Sequence, residues 1–203
     1  TSTEDPQHPF QFGFLQVRPM VVSTEEVQIE PAEMKDESLL LASDRVLGNG
    51  VINTISDVVF IDPGAFRKEA TRDIATQIGT LNARLQESGT PYLLIGFGRW
   101  GTTEPAAGIP VEWGQVAGAK VIVEASLEHI YAEMSQGSHF FHNVTGFGVF
   151  YFSIPYSGAH QINWDALEQQ KIIEKTNYIR HVKLDHPLEI KVDGRTGKGI
   201  IKF

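Results

Sequence analysis

Cysteine is absent from the 203 residues. Its absence excludes a disulfide scaffold and cysteine-based zinc sites, and it suits a reducing compartment, so a cytoplasmic location is expected. Basic residues are in deficit, with 17 Lys and Arg against 25 Asp and Glu, a formal charge of −8. No window gathers Lys or Arg among aromatics, so neither nucleic acid nor a membrane is an expected partner. No apolar run approaches the ~20 residues that a spanning helix needs, and no signal-peptide pattern is visible. The chain opens on Thr1, and the polar, proline-bearing "TSTEDPQHP" reads as a lead-in within a longer polypeptide. What is present is ordinary for a globular chain, 41% hydrophobic and 10% aromatic, and long enough to bury a sizeable core.

Hydrophobic spacing then divides the chain. "FQFGFLQVRPM" (10–20) alternates as a strand does and is closed by Pro19. "STEEVQIEPAEMKDES" (23–38) is acidic and aperiodic, a linker or surface excursion, and the main domain is expected over 39–203. Gly48-Asn49-Gly50 marks a turn, and "DVVFID" (57–62) reads as a buried strand ended by Pro63-Gly64. Ala70, Ile74, Ala75, Ile78, Leu81 and Leu85 recur at helical spacing, predicting one amphipathic helix over about 68–87, stopped by Gly89 and Pro91. "PYLLIG" follows as another covered strand, so strand–helix–strand predicts a parallel pair. "KVIVEA" and "VFYFSI" are further strands, and Asn163 caps a short helix in "NWDALEQQ". "LEIKVDGRTGKGIIKF" reads as two strands joined at Asp193-Gly194. The expected fold class is α/β, a mixed, partly parallel sheet flanked by helices, with a C-terminal β-hairpin.

The stretch with the strongest chemical suggestion is "YLLIGFGRWG", in which Gly96, Gly98 and Gly101 spell G-x-G-x-x-G. A dinucleotide loop must open a helix, whose free N–H groups hold the pyrophosphate. Here "TTEPAAGIPVEWGQVAGA" follows, with Pro105, Pro110 and three glycines, and an interior proline costs ~3 kcal/mol in a helix. The dinucleotide reading fails there, although Glu124 stands where a ribose-binding acid would. Two readings remain. One is a tight exit from the sheet, with glycines at positive φ and Trp100 and Trp113 plugging a core edge. The other is an anion loop: bare amides at Gly96, Gly98 and Gly101, the Arg99 fork and the hydroxyls of Thr102 and Thr103 would hold a phosphate or carboxylate beside Trp100.

Other constellations point less sharply. His139 and His142 in "SHFFHN" share a helical face, a spacing open to metal binding or proton transfer, but the zinc-protease Glu is missing and a buried or capping pair reads better. Asp57, Asp62, Glu124 and Glu128 are carboxylates that sequence cannot bring together around Mg²⁺. In "VDGRTGKG", Arg195 and Lys198 flank glycines as a phosphate loop would, yet no helix follows, so a charged hairpin turn is expected. No nucleophile elbow occurs.

"FLQVRPM" resembles the Leu-Gln-x-Arg-Pro strand that closes the ATP-binding domain of the phosphoenolpyruvate synthase/pyruvate phosphate dikinase family. "YLLIGFGRWG", "GIPVEWGQ", "KVIVEA", "QGSHFFHN" and "DGRTGKG" resemble the C-terminal region of dikinase-like bacterial proteins of that family. Phe97 stands where Pro is more usual, and Thr102-Thr103-Glu104 where Ser-Ser-Asp is. The resemblance implies that residues 1–22 are the last strand of an upstream ATP-binding, ATP-grasp-like domain of the same polypeptide. It further implies that Gln16 and Arg18 serve nucleotide phosphates and Mg²⁺, with ATP and Mg²⁺ as cofactors of the full-length parent. Amide oxygen is a suitable Mg²⁺ ligand and Arg a suitable phosphate partner. "RWGTTEPAAGIPV" echoes the family's phosphohistidine domain, but Glu104 stands where His would be. A phosphoenolpyruvate-binding barrel needs ~200 residues of its own. The piece is therefore expected to be incomplete as a catalyst, a C-terminal module binding a small anionic ligand. A non-catalytic docking domain that meets the upstream domain or forms a homo-oligomer is the alternative.

Overall fold

A computed structural model describes residues 26–104, 107–128 and 139–203. The first half of the described chain forms strands β1 (Leu39–Ser43), β2 (Val46–Leu47) and β3 (Gly50–Ile61), helix α1 (Thr71–Glu87) and strand β4 (Tyr92–Phe97). Two short strands follow, β5 (Arg99–Trp100) and β6 (Gly108–Ile109), and then β7 (Ala119–Ala125) and helix α2 (His139–Gly146). Strand β8 (Phe150–Ile154), helix α3 (Trp164–Glu168) and strands β9 (Lys171–Lys175), β10 (Ile179–Asp193) and β11 (Lys198–Lys202) complete it.

The main sheet runs β1-β11-β10-β3-β4-β7-β8-β2, with β9 added on β10. Strands β3, β4, β7 and β8 are mutually parallel, and the remaining pairs of this main sheet are antiparallel. This is the mixed, partly parallel sheet expected, and β10–β11 is the C-terminal hairpin. The ends of the path, β1 and β2, are separated in the chain by Asp44 and Arg45 alone. There the Ser153 amide donates to the Arg45 carbonyl and the Ser43 hydroxyl to the Ser153 carbonyl. One kinked segment thus joins both edges and curls the sheet into a barrel-like ring. Its interior is filled: a Cβ on Gly199 of β11 would stand 2.5 Å from the Phe152 ring of β8 and 2.8 Å from Val46.

The central strands read as unbroken apolar runs because both of their faces are covered. Phe60 and Phe97 point inward to Trp164 of α3, with ring centroids 6.0 and 5.7 Å away. The opposite face lies under α1, which buries Ile74, Ile78, Leu81 and Leu85. A 3-10 turn at Lys68–Ala70 precedes the helix, so the expected 68–87 span is helical throughout but α-helical only from Thr71. The helix ends as its glycine predicts. Gly89 adopts φ 64°, its amide donates to the Gln86 carbonyl, and the Thr90 amide donates to the Leu85 carbonyl.

Residues 26–38, expected as linker, pack onto the ring instead of leaving it. Val27, Ile29 and Met34 form a small core with Ala42 and Ile200. Lys191 holds Glu33 at 2.8 Å and Lys202 holds Asp36 at 2.6 Å. The apolar residues were too few and too irregular in spacing to announce this from sequence. The strand expected at 10–20, and with it the upstream-domain assignment of 1–22, lies outside the described residues.

A buried asparagine ties α1 to the sheet. Asn82 Oδ1 accepts from the Tyr92 hydroxyl and the Gly118 amide, both at 2.9 Å, while Nδ2 donates to Gln86 and to the Gly114 carbonyl. Asn82→Leu keeps the volume but leaves the Tyr92 hydroxyl and Gly118 amide buried without acceptors. Each such group costs about 1–3 kcal/mol. Urea unfolding of Asn82→Leu is expected to show a loss of roughly 2–5 kcal/mol, of which Tyr92→Phe in the same background restores part.

Candidate functional site

The glycine bend leaves the sheet at the carboxyl end of β4, where parallel strands of open α/β sheets present ligand sites. Gly98 and Gly101 both have φ 71°, a conformation other residues rarely adopt. Gly96 is there for a different reason: a Cβ would lie 2.4 Å from the Trp100 indole and 2.9 Å from Ile61. The missing side chain lets Trp100 fold back over the strand, where its Nε1–H donates to the Val123 carbonyl at 3.1 Å. No helix follows Gly101. The chain instead pairs β5 with β6 and makes a 3-10 turn at Trp113–Gln115, so the geometry is that of the tight exit.

The anion-loop expectation needs correcting in one respect. The amides of Gly98, Arg99 and Gly101 donate to the carbonyls of Ala125, Ala107 and Ile109, each at 2.9 Å. They are engaged within the protein and are not donors for a ligand. Thr102 Oγ1 is turned to its own loop, accepting from the Glu104 amide at 3.1 Å, while Thr103 is exposed.

Arg99 has a different neighbour. Glu124 of β7 stands in register with Gly96 on one side and Ser153 on the other, and it is 2% exposed. Its Oε2 accepts from the hydroxyl of Tyr151, itself buried on β8. Oε1 makes no hydrogen bond among the described residues. Burial pushes the Glu124 carboxyl up to about 7, against the opposing pull of the Tyr151 hydroxyl, the Trp100 amide and the Arg99 charge. Burial also raises the Tyr151 hydroxyl, and the Glu124 carboxylate raises it further. The result is a carboxyl poised near neutrality, beneath an indole, with a phenol and a guanidinium beside it, at the carboxyl ends of three parallel strands. Such an arrangement can exchange a proton near pH 7 and can release Arg99 from a counter-charge when the carboxyl is protonated.

The other sequence candidates disperse. His139 and His142 fall on α2 as expected, and the His142 side chain is exposed. Gln16 and Arg18 lie outside the described residues. Glu128 is exposed, and Asp62 is held elsewhere, by Arg180 at 2.5 Å. Burial alone would raise Asp62, but the Arg180 bond and the Gly64 amide outweigh it and lower its pKa. Among the described residues no group of three or more His, Asp or Glu is placed to hold a metal ion, which leaves Glu124 without companion ligands. The "VDGRTGKG" segment is the hairpin turn: Asp193 accepts from the Arg195 and Thr196 amides, filling the place an anion would take. Sequence reading missed Tyr151, whose role rests on a strand register that no local pattern discloses. It also missed the pairing of Asp57 with His181, which are 124 residues apart and meet at 2.9 Å.

Glu124 makes stability depend on pH in a definite direction. Its folded value, about 7, lies above the ordinary 4.5, so its contribution is fully present below pH 4.5 and is lost as pH rises through 7. Stabilities from urea unfolding across that interval are expected to fall for the wild type, by about 3–4 kcal/mol at most. Glu124→Gln is expected to lack this component, and parallel profiles for the two proteins would contradict the assignment. Against known proteins, no family model matches the chain, and neither a curated protein nor a solved structure matches it.

Proposed function

We propose that this chain is the C-terminal module of a phosphoenolpyruvate synthase/dikinase-like phosphotransferase, in which Arg99 holds the phosphate or carboxylate of a small ligand. The observation that carries the reading is the buried Glu124 near the carboxyl ends of β4 and β7, bonded to Tyr151 of β8 and within reach of the Arg99 charge. Gly96, Gly98 and Gly101 shape the bend, Trp100 covers it, and Thr102 and Thr103 border it; the guanidinium supplies the attraction. In the parent, Gln16 and Arg18 would serve ATP and Mg²⁺ on the upstream domain, and this module alone would be inactive.

Ligand binding is then linked to a proton. An anion on Arg99 disfavours the neighbouring carboxylate, so Glu124 takes up a proton as the ligand arrives. Calorimetry with pyruvate, a monoanion throughout this range, is expected to show binding about tenfold tighter at pH 6 than at pH 8. Arg99→Ala is expected to abolish it, and Glu124→Gln to remove the pH dependence. Identical titrations for wild type and Arg99→Ala would take this role from Arg99.

One observation favours the docking alternative. Strand β9 pairs only with β10 among the described residues and leaves Ile172 and Ile173 47% and 50% exposed. An edge strand of that character suits pairing with a second chain or the upstream domain. Light scattering is expected to show a dimer that Ile173→Lys disperses; a monomer at all concentrations, alone and with the upstream domain, removes the alternative.

A further inference from the structure

A second polar centre lies under α1, toward the amino end of the parallel strands. Asp57 stands opposite Tyr92, the first residue of β4, whereas Glu124 stands opposite Gly96 near its end. Between α1 and the β9–β10 pair is a cavity of about 130 Å³, lined by Thr76, Gln77, Thr80, Arg84, Glu174 and His181 among others. We propose that this cavity is a binding site for a small hydroxy-carboxylate, with His181 accepting its hydroxyl proton in a hydrogen bond.

The chemistry follows from how His181 is held. The ring is 5% exposed, and its Nε2 lies 2.9 Å from Asp57 Oδ1, while Lys183 Nζ donates to Asp57 Oδ2. In a neutral ring, a carboxylate at one nitrogen keeps the proton there and leaves the lone pair on the other. His181 lines the cavity and spends Nε2 on Asp57, so Nδ1 is the nitrogen left to a ligand. The site therefore has one acceptor on a buried ring, held from behind by Asp57, which Lys183 also contacts.

The walls supply donors. Gln77 Oε1 accepts from the Thr176 hydroxyl at 2.6 Å, which leaves the Gln77 NH2 to donate. At the mouth Arg84 pairs with Glu174 at 2.5 Å, but the Arg84 side chain is 54% exposed, so an incoming carboxylate can compete for it. The Thr76 and Thr80 hydroxyls donate to the Arg72 and Thr76 carbonyls of their own helix and present oxygens alone. An acceptor at the floor, an amide donor on the wall and a guanidinium at the rim match a molecule with a hydroxyl at one end and a carboxylate at the other. A cavity of this volume holds a ligand of about six heavy atoms, the size of a three-carbon hydroxy acid.

The test uses the 203-residue protein with imidazole nitrogens observed by long-range ¹H–¹⁵N NMR, L-lactate as probe and propionate as its hydroxyl-free control. Lactate is expected to shift His181 Nδ1 saturably, and propionate to leave it unchanged. Thr80→Phe, on the solvent side of α1, is expected to block the mouth and weaken lactate by about tenfold or more while the Asp57–His181 pair keeps its resonances. Arg99→Ala is expected to leave the His181 response intact, which separates this site from the one at Glu124. No saturable His181 shift at tens of millimolar lactate, an equal shift with propionate, or undiminished lactate binding by folded Thr80→Phe would each overturn the proposal.

Discussion

A carboxyl group inside the sheet is the constraint around which the site is built. Water cannot solvate Glu124, so the group must be neutral or must find donors, and its surroundings supply both possibilities at once. Tyr151 gives a hydroxyl, the bend gives the Trp100 amide, and Arg99 gives a charge. The indole could not lie across the strand if Gly96 carried a side chain, because a Cβ there would meet Trp100 at 2.4 Å. The glycine, the indole and the carboxyl are one arrangement, and the left-handed turns at Gly98 and Gly101 are what return the chain over it.

The ring-like closure gives that arrangement its rigidity. Strands β1 and β2 are two pieces of one segment, pairing with β11 and β8 at opposite edges, and Ser43 and Ser153 bridge the break. The central parallel strands are thereby covered on one face by the far side of the ring and on the other by α1 and the bend. Such strands must be apolar almost throughout, so each polar residue on them has to be matched by a specific partner. Three carboxylates on or at the end of these strands meet the demand differently. Asp62 is held by the guanidinium of Arg180, Asp57 is shared by His181 and Lys183, and Glu124 is left partly unmet. The degree of satisfaction grades them from structural to chemically available.

How much of this was legible depended on range along the chain. The amphipathic period of α1, its glycine stop, the Asn163 cap and the C-terminal hairpin are local patterns, and each stands in the structure where the residues placed it. The glycine bend was legible as a turn, but the engagement of its amides was not, because a sequence shows which amides are unobstructed and not where they donate. The packing of residues 26–38 was hidden for a related reason: Val27, Ile29 and Met34 are sparse in sequence and gain meaning only against Ala42 and Ile200.

By itself, then, the chain's order of residues settles its local elements, its apolar strands and the places where the backbone must turn sharply, since those follow from propensity and spacing over a few residues. Tertiary structure alone decides that Glu124 sits under Trp100 beside Tyr151, and that Asp57 finds His181 across 124 positions. The reason is physical. Charge and burial act through space, and a carboxyl's state is set by whatever the strand register brings within a few ångströms of it.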